Sequence, residues 1–325
     1  MAPFDAVLFI AFGGPETPAD VRPFLDNVLR GRPVPRERYE EVVRHYEIIG
    51  GRSPLNALTV RQAEGVARVL AAEGPALPVY VGMRNWSPYI ADTLAGMTRD
   101  GARRVLGVIL APHRSEASWE RYVADVEAGR LTLGGGAPEI EYARPWFDHP
   151  RFIAAVADRV RDAFVALGHR SRTARVGEET PAMAAEDADR PAIVFTAHSI
   201  PVAMADASPY VRDLRTSCRL VAEALGGLPY TLAYQSRSGN PREPWLEPDV
   251  NDAIRSLAMR GVPHVVVVPI GFVCDHVEVL YDLDIEAKTL ADQLGIELRR
   301  AATVNDHPLF IAMMAEVIRS HVGKA

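Results

Sequence analysis

Hydrophobic and polar positions along this chain follow two rhythms. Short, nearly continuous apolar runs alternate with longer stretches in which apolar residues recur every three or four positions. The short runs predict buried strands. They lie at Ala6–Phe12, Val79–Met83, Arg104–Leu110 and Ile140–Ala143, and again at Ala192–Ala197, Tyr230–Tyr234, Val265–Phe272 and Glu297–Arg299. The longer stretches predict amphipathic helices, among them Leu58–Ala72, Arg151–Leu167, Val211–Leu225 and Leu309–His321. Strands alternating with helices predict an α/β chain of parallel sheets with right-handed crossovers. Several strands end alike, in Gly-Gly-Pro, Pro-His or His-Ser-Ile-Pro, which hints at two similar halves. Residues 168–190 are polar, Ala-rich and without a period, and read as an exposed loop.

Two predicted strands end in groups capable of chemistry. Phe195-Thr-Ala-His-Ser-Ile-Pro201 breaks from apolar to polar at His198, and the run from Val265 to Phe272 leads into Asp275, Glu278, Asp282 and Glu286. Ligands of open α/β sheets bind at the carboxyl ends of the strands. An imidazole facing carboxylates suits a divalent metal or a proton transfer. Glu278, Asp282 and Glu286 are four residues apart, so on one helix they form a stripe, with Asp275 placed to cap it. The blander reading is a solvated helix face and a hydrogen-bonded structural histidine. Two such strand ends with complementary ligand chemistry favour the functional one.

The turn Gly13-Gly14-Pro15-Glu16 lacks the third glycine of a dinucleotide fingerprint and the lysine of a phosphate loop. Pro15 reads as the first position of a helix, and the turn as one that lets backbone approach a flat ligand.

At 325 residues and 48% hydrophobic, the chain can bury a large core or two. No apolar run approaches the roughly 18–20 residues of a membrane span. The start, Met-Ala-Pro-Phe-Asp, leads straight into a strand, so no signal peptide is expected. Two cysteines, Cys218 and Cys274, make no disulfide framework and fit a reducing cytoplasm; Cys274 reads as a small buried hydrophobe. The net charge of −6 disfavours nucleic acid. The basic residues are almost all arginine, which forks onto carboxylates where lysine does not. The bland reading of that bias is a GC-rich genome.

Five segments together resemble the ferrochelatase family. They are Ala11-Phe-Gly-Gly-Pro-Glu-Thr17, His45-Tyr-Glu-Ile-Ile-Gly-Gly-Arg-Ser-Pro-Leu55, Thr196-Ala-His-Ser-Ile-Pro201, Tyr234-Gln-Ser236 with Pro244-Trp-Leu246, and Asp275–Glu286. They occur in family order and span nearly the whole chain. The resemblance implies an enzyme that inserts Fe2+ into a porphyrin. It implies two Rossmann-like domains with parallel four-stranded sheets flanked by helices, and an active site in the interdomain cleft. The domains would be 1–145 and 146–305, the latter holding His198 and Glu278, with 306–325 a final helix packing back on the first.

The resemblance assigns His198 and Glu278 as the catalytic pair and as metal ligands. Asp282 and Glu286 would form a hydrated cation path or hold an accessory Mg2+. Phe12, Arg30, Arg32, Tyr46, Ser53, Tyr122 and Trp245 would contact the porphyrin. Where some family members have a tyrosine able to sit on the iron, this chain has Phe12, which cannot ligate. Some ferrochelatases carry an iron–sulfur cluster; two cysteines cannot supply its usual four thiolates, so none is expected, nor any organic cofactor.

The segment Arg30-Gly-Arg-Pro-Val-Pro-Arg-Glu-Arg-Tyr39 is polar and basic where membrane-associated members carry an apolar lip. That favours coproporphyrin III, with four propionates, over protoporphyrin IX, with two. Gly82–Tyr89 also looks most like actinobacterial-type enzymes, which use coproporphyrin. The product would be coprohaem III in haem biosynthesis, made in the cytoplasm, with transient contacts to other enzymes of that pathway. A non-catalytic tetrapyrrole-binding protein is the alternative of another class, and retention of both His198 and Glu278 argues against it.

Overall fold

The computed structural model of the chain describes residues 4–168, 190–238 and 242–322. The expected loop at 168–190 lies, apart from its two ends, outside the described residues. The chain divides into two compact units: Met1–Trp146 with Val273–Val277 and Asn305–Ala325, and Phe147–Phe272 with Glu278–Val304.

The first unit begins with β1 (Ala6–Ala11), α1 (Val21–Leu29), α2 (Arg36–Ile48) and α3 (Leu55–Glu73). It continues with β2 (Val79–Met83), α4 (Ile90–Arg99), β3 (Arg104–Ile109), α5 (Arg121–Leu133) and β4 (Glu139–Tyr142). The second contains α6 (Pro150–Ala166), β5 (Ala192–His198), α7 (Val202–Asp206), α8 (Tyr210–Ala224), β6 (Tyr230–Gln235), α9 (Val250–Met259) and β7 (His264–Val268). After α10 (Val277–Leu280) come α11 (Lys288–Gln293) and β8 (Glu297–Arg300). The chain then returns to the first unit as α12 (Pro308–Val322), which packs on α3. Gly65 of α3 makes room for it: a Cβ there would sit 3.1 Å from Ile311.

Both sheets are parallel, and their strand orders are the same: β2-β1-β3-β4 and β6-β5-β7-β8. In each, the first strand is interior, and the chain leaves it to one side and later returns on the other. The topological switch point therefore falls beside the carboxyl ends of β1 and β3, and of β5 and β7, where such sheets leave a crevice. All six residues of β1 are buried, as a strand covered on both faces requires. Val194, Ala233, Val265 and Val267 of the second sheet pack against Ile254 and Leu257 of α9 and against Val279 and Leu283.

Two expected boundaries move for identifiable reasons. β7 stops at Val268 rather than Phe272, because Pro269 has no N–H for the ladder. The first helical turn starts at Pro18, not Pro15: Thr17 is its N-cap, and the Thr17 N–H donates to the Asp20 carboxylate at 2.8 Å. Gly13 and Gly14 instead serve close approach. Gly13 has φ +84, and a Cβ on Gly14 would lie 2.7 Å from that of Ser53. Among the described residues no helix is long and apolar enough to cross a membrane.

Candidate active site

His198 is the last residue of β5, and its cross-strand partner is Gln235, the last of β6. Its Nδ1 lies 3.8 Å from Glu278 Oε2, with the two side chains 31% and 34% exposed. The same nitrogen is 3.4 Å from the Gln235 carbonyl oxygen. An Nδ1–H turned toward that carbonyl leaves Nε2 with a free lone pair. Tyr210 supports the strand end, its hydroxyl donating to the His198 carbonyl at 3.0 Å. Burial raises the Tyr210 pKa far above its ordinary value, so this donor stays protonated.

Glu278 stands in the single turn α10. Asp282–Ala287 then runs as a π-helical stretch, in which the Glu286 N–H reaches back five residues to the Tyr281 carbonyl at 3.0 Å. The expected uninterrupted α-helical stripe is thus corrected: the acids follow one another along a segment that changes register between Glu278 and Asp282. Such registers are rare and concentrate at functional sites. Glu278 and Asp282 are half-buried, and Glu286 is exposed.

Each part of the segment has a local anchor. Ser236, in the left-handed region at φ 63, donates its hydroxyl to Asp282 Oδ2. Arg300 grips Asp284 with two bonds, of 2.7 and 2.9 Å. Asp275, expected as the helix cap, is engaged with Asn305. Its N–H donates to Asn305 Oδ1 at 3.0 Å, and Asn305 Nδ2 donates to its carboxylate at 3.2 Å. Among the described residues no three His, Cys, Asp or Glu side chains converge into a preformed metal cage.

The other sequence-predicted residues fall into separate groups. In the first unit Phe12 follows β1 with its ring 6.3 Å from Phe24. Tyr46 and Trp86 also pack edge-on to Phe24, at 5.9 and 6.3 Å. Sequence reasoning missed Phe24, which reads simply as the apolar face of α1. Ser53 is buried, its N–H donating to the Pro15 carbonyl at 2.7 Å. Tyr122 is buried beneath the Arg84 guanidinium, 5.7 Å from ring to cation.

Arg30, expected to contact the porphyrin, is paired with Asp125 at 2.8 and 3.0 Å. Asp125 also accepts from Arg84. Arg32 is exposed and donates only to the Leu29 carbonyl, at 3.3 Å, among the described residues. In the second unit Trp245 bridges to Pro201 and lies under Arg237, and among the described residues its indole nitrogen is buried without a partner. Both cysteines are buried, and Cys274, accepting from Gln62 at 3.2 Å, has its thiol pushed up to about 12.

The ferrochelatase family model matches residues 4–322. A ferrochelatase of Rhodopirellula baltica is 43% identical over 100% of this chain and 88% of its own. The coproporphyrin III ferrochelatase of Nocardia farcinica is 45% identical over 98% of this chain and 88% of its own. The Streptomyces coelicolor protein of that name is 41% identical over 99% and 86%. Among solved structures, SirB from Bacillus subtilis with Fe3+ superposes with a TM-score of 0.58 over 98% of this chain and 95% of that one. At 12% identity that likeness concerns the fold alone. From the match along its length and from these relatives, this chain belongs to the ferrochelatase family.

Proposed function

We propose that this enzyme inserts Fe2+ into coproporphyrin III, releasing two protons and coprohaem III, and does so in the cytoplasm. The observation that carries the chemistry is the His198–Glu278 pair, 3.8 Å apart beside the switch point of the second sheet. The choice of porphyrin is supported by the names of the relatives at 41–45% identity and by the exposed segment 30–37, which carries Arg30, Arg32 and Arg36.

A free-base porphyrin must lose two pyrrole protons while iron sheds its water. His198 presents Nε2 as a base or iron ligand, and Glu278 presents a carboxylate for the other half of the exchange. Asp282 and Glu286 continue as oxygen donors toward solvent and suit a hydrated divalent cation on its way in, Mg2+ included. Phe12 and Trp86 offer apolar faces to a flat ring. A site that favours a distorted macrocycle binds the transition state better than the planar substrate. No organic cofactor and no cluster enters this scheme.

The test is an anaerobic assay with Fe2+ and each porphyrin, followed by loss of free-base fluorescence. A higher kcat/KM with coproporphyrin III is expected. Preference for protoporphyrin IX overturns the substrate assignment. Binding of either porphyrin without insertion makes the chain a tetrapyrrole-binding member of the family.

A further inference from the structure

Gln235 joins both members of the reacting pair. Its backbone is the cross-strand neighbour of His198, and its carbonyl oxygen faces His198 Nδ1 at 3.4 Å. The same oxygen accepts the Ser199 N–H at 2.8 Å, which fixes the strand end. Its side-chain amide turns the other way and donates to the backbone carbonyl of Glu278. Glu278 lies in the one turn before the helix changes to π register, where the regular ladder of backbone bonds is interrupted.

The residue is only 1% exposed, and among the described residues its Oε1 is buried without a partner. For folding alone this is a poor choice. A buried amide satisfied on one side is worse than an apolar residue of the same shape. A residue that weakens the core and spans two ionisable groups is the pattern expected where geometry matters more than stability.

We propose that Gln235 is a positioning residue for metal insertion, holding the Glu278 turn at the distance from His198 that the exchange of protons for iron requires. The proposal rests on the reading of His198 and Glu278 as the reacting pair. Gln235 touches neither iron nor porphyrin in this scheme; its carbonyl faces the His198 ring, and its amide holds the Glu278 backbone.

Gln235→Leu keeps the volume and removes the donor. It should lower kcat roughly tenfold to a hundredfold, the scale expected when a reacting group is misplaced by about 1 Å. Porphyrin KM should stay within about twofold and the thermal midpoint near that of the parent, since the lost partner of the half-buried Glu278 carbonyl is offset by removal of the unpartnered Oε1. Gln235→Glu supplies a readout that a structural role would not move. A neutral carboxyl still donates to the Glu278 carbonyl, whereas a carboxylate cannot. Its activity relative to the parent should therefore fall as pH rises through the new carboxyl's pKa.

Parental kcat in Gln235→Leu overturns the proposal. So does a loss of kcat that only tracks lost thermal stability, with the Glu variant's pH profile parallel to the parent's. His198→Ala is measured beside them. If it turns over normally, the reading of the reacting pair fails and this proposal with it. If it is inactive while Gln235→Leu is parental, only the role of Gln235 falls.

Discussion

Replacing Arg30 and Arg32 singly and together tests porphyrin choice. Arg30 is 42% exposed and already holds Asp125 in a two-bond pair. A propionate that recruits Arg30 must displace Asp125, which keeps Arg84 as its other partner. The gain is the difference between two similar pairs. With exposed pairs worth about 0–1 kcal/mol, that difference is about 0.5 kcal/mol, or roughly twofold. Arg32 gives up only a bond to the Leu29 carbonyl. It can contribute about 1 kcal/mol, or roughly fivefold. The double Ala variant should then raise the KM for coproporphyrin III about tenfold. Protoporphyrin IX, with fewer carboxylates, should change by about threefold or less on the same reasoning. Steady-state insertion assays at low and high ionic strength read both effects. Salt should weaken coproporphyrin use in the parent and much less in the double variant, because exposed charges are screened over about 10 Å at 0.1 M. Equal losses with both porphyrins would refute the propionate role. A larger effect from Arg30→Ala than from Arg32→Ala would refute the competition with Asp125.

Three further outcomes are expected. His198→Ala and Glu278→Gln should each abolish insertion while circular dichroism and melting stay close to the parent, both side chains being about one third exposed; near-parental turnover in either would remove that residue from the chemistry. Asp282→Asn and Glu286→Gln should raise the Fe2+ concentration needed for half-maximal rate more than they lower the maximal rate, and an unchanged metal dependence would return these acids to an ordinary solvated face. Burial holds the His113 pKa down to about 3 from 6.5, so below pH 6.5 the unfolded chain takes the proton first and stability falls with falling pH. At about 1.4 kcal/mol per unit the loss at pH 5 is about 2 kcal/mol, and thermal melts of His113→Gln should show a flatter slope than the parent between pH 6.5 and 5.

The sheets were legible because a strand covered on both faces is a short apolar run bounded by turn residues, and β1 and β5 are such runs. β7 was overread because apolar residues continue beyond Pro269, and only the missing N–H marks the end of pairing. The acidic spacing was visible and its register was not: four residues apart fits an α-helix, and nothing local distinguishes the π stretch at Asp282–Ala287. Pairings between distant segments were out of reach. Arg30 and Asp125 are 95 residues apart in sequence, and Gln235 meets the Glu278 carbonyl across 43. Gln235 lay inside a recognised segment, yet its role depends on which helix passes over the end of β6.

The two sheets share one strand order, so topology alone would make their switch points equivalent. Their chemistry is not. Beside β1, Phe12 leads into the turn at Gly13 and Gly14, and Phe12, Tyr46 and Trp86 pack on Phe24, with no ionisable group in that ring cluster apart from the tyrosine hydroxyl. Beside β5 it ends in His198, with Glu278 and Asp282 arriving after β7. A fold supplies the crevice and the residues grafted at its rim decide the use. Here one rim is lined by packed aromatic rings and the other by an imidazole and carboxylates.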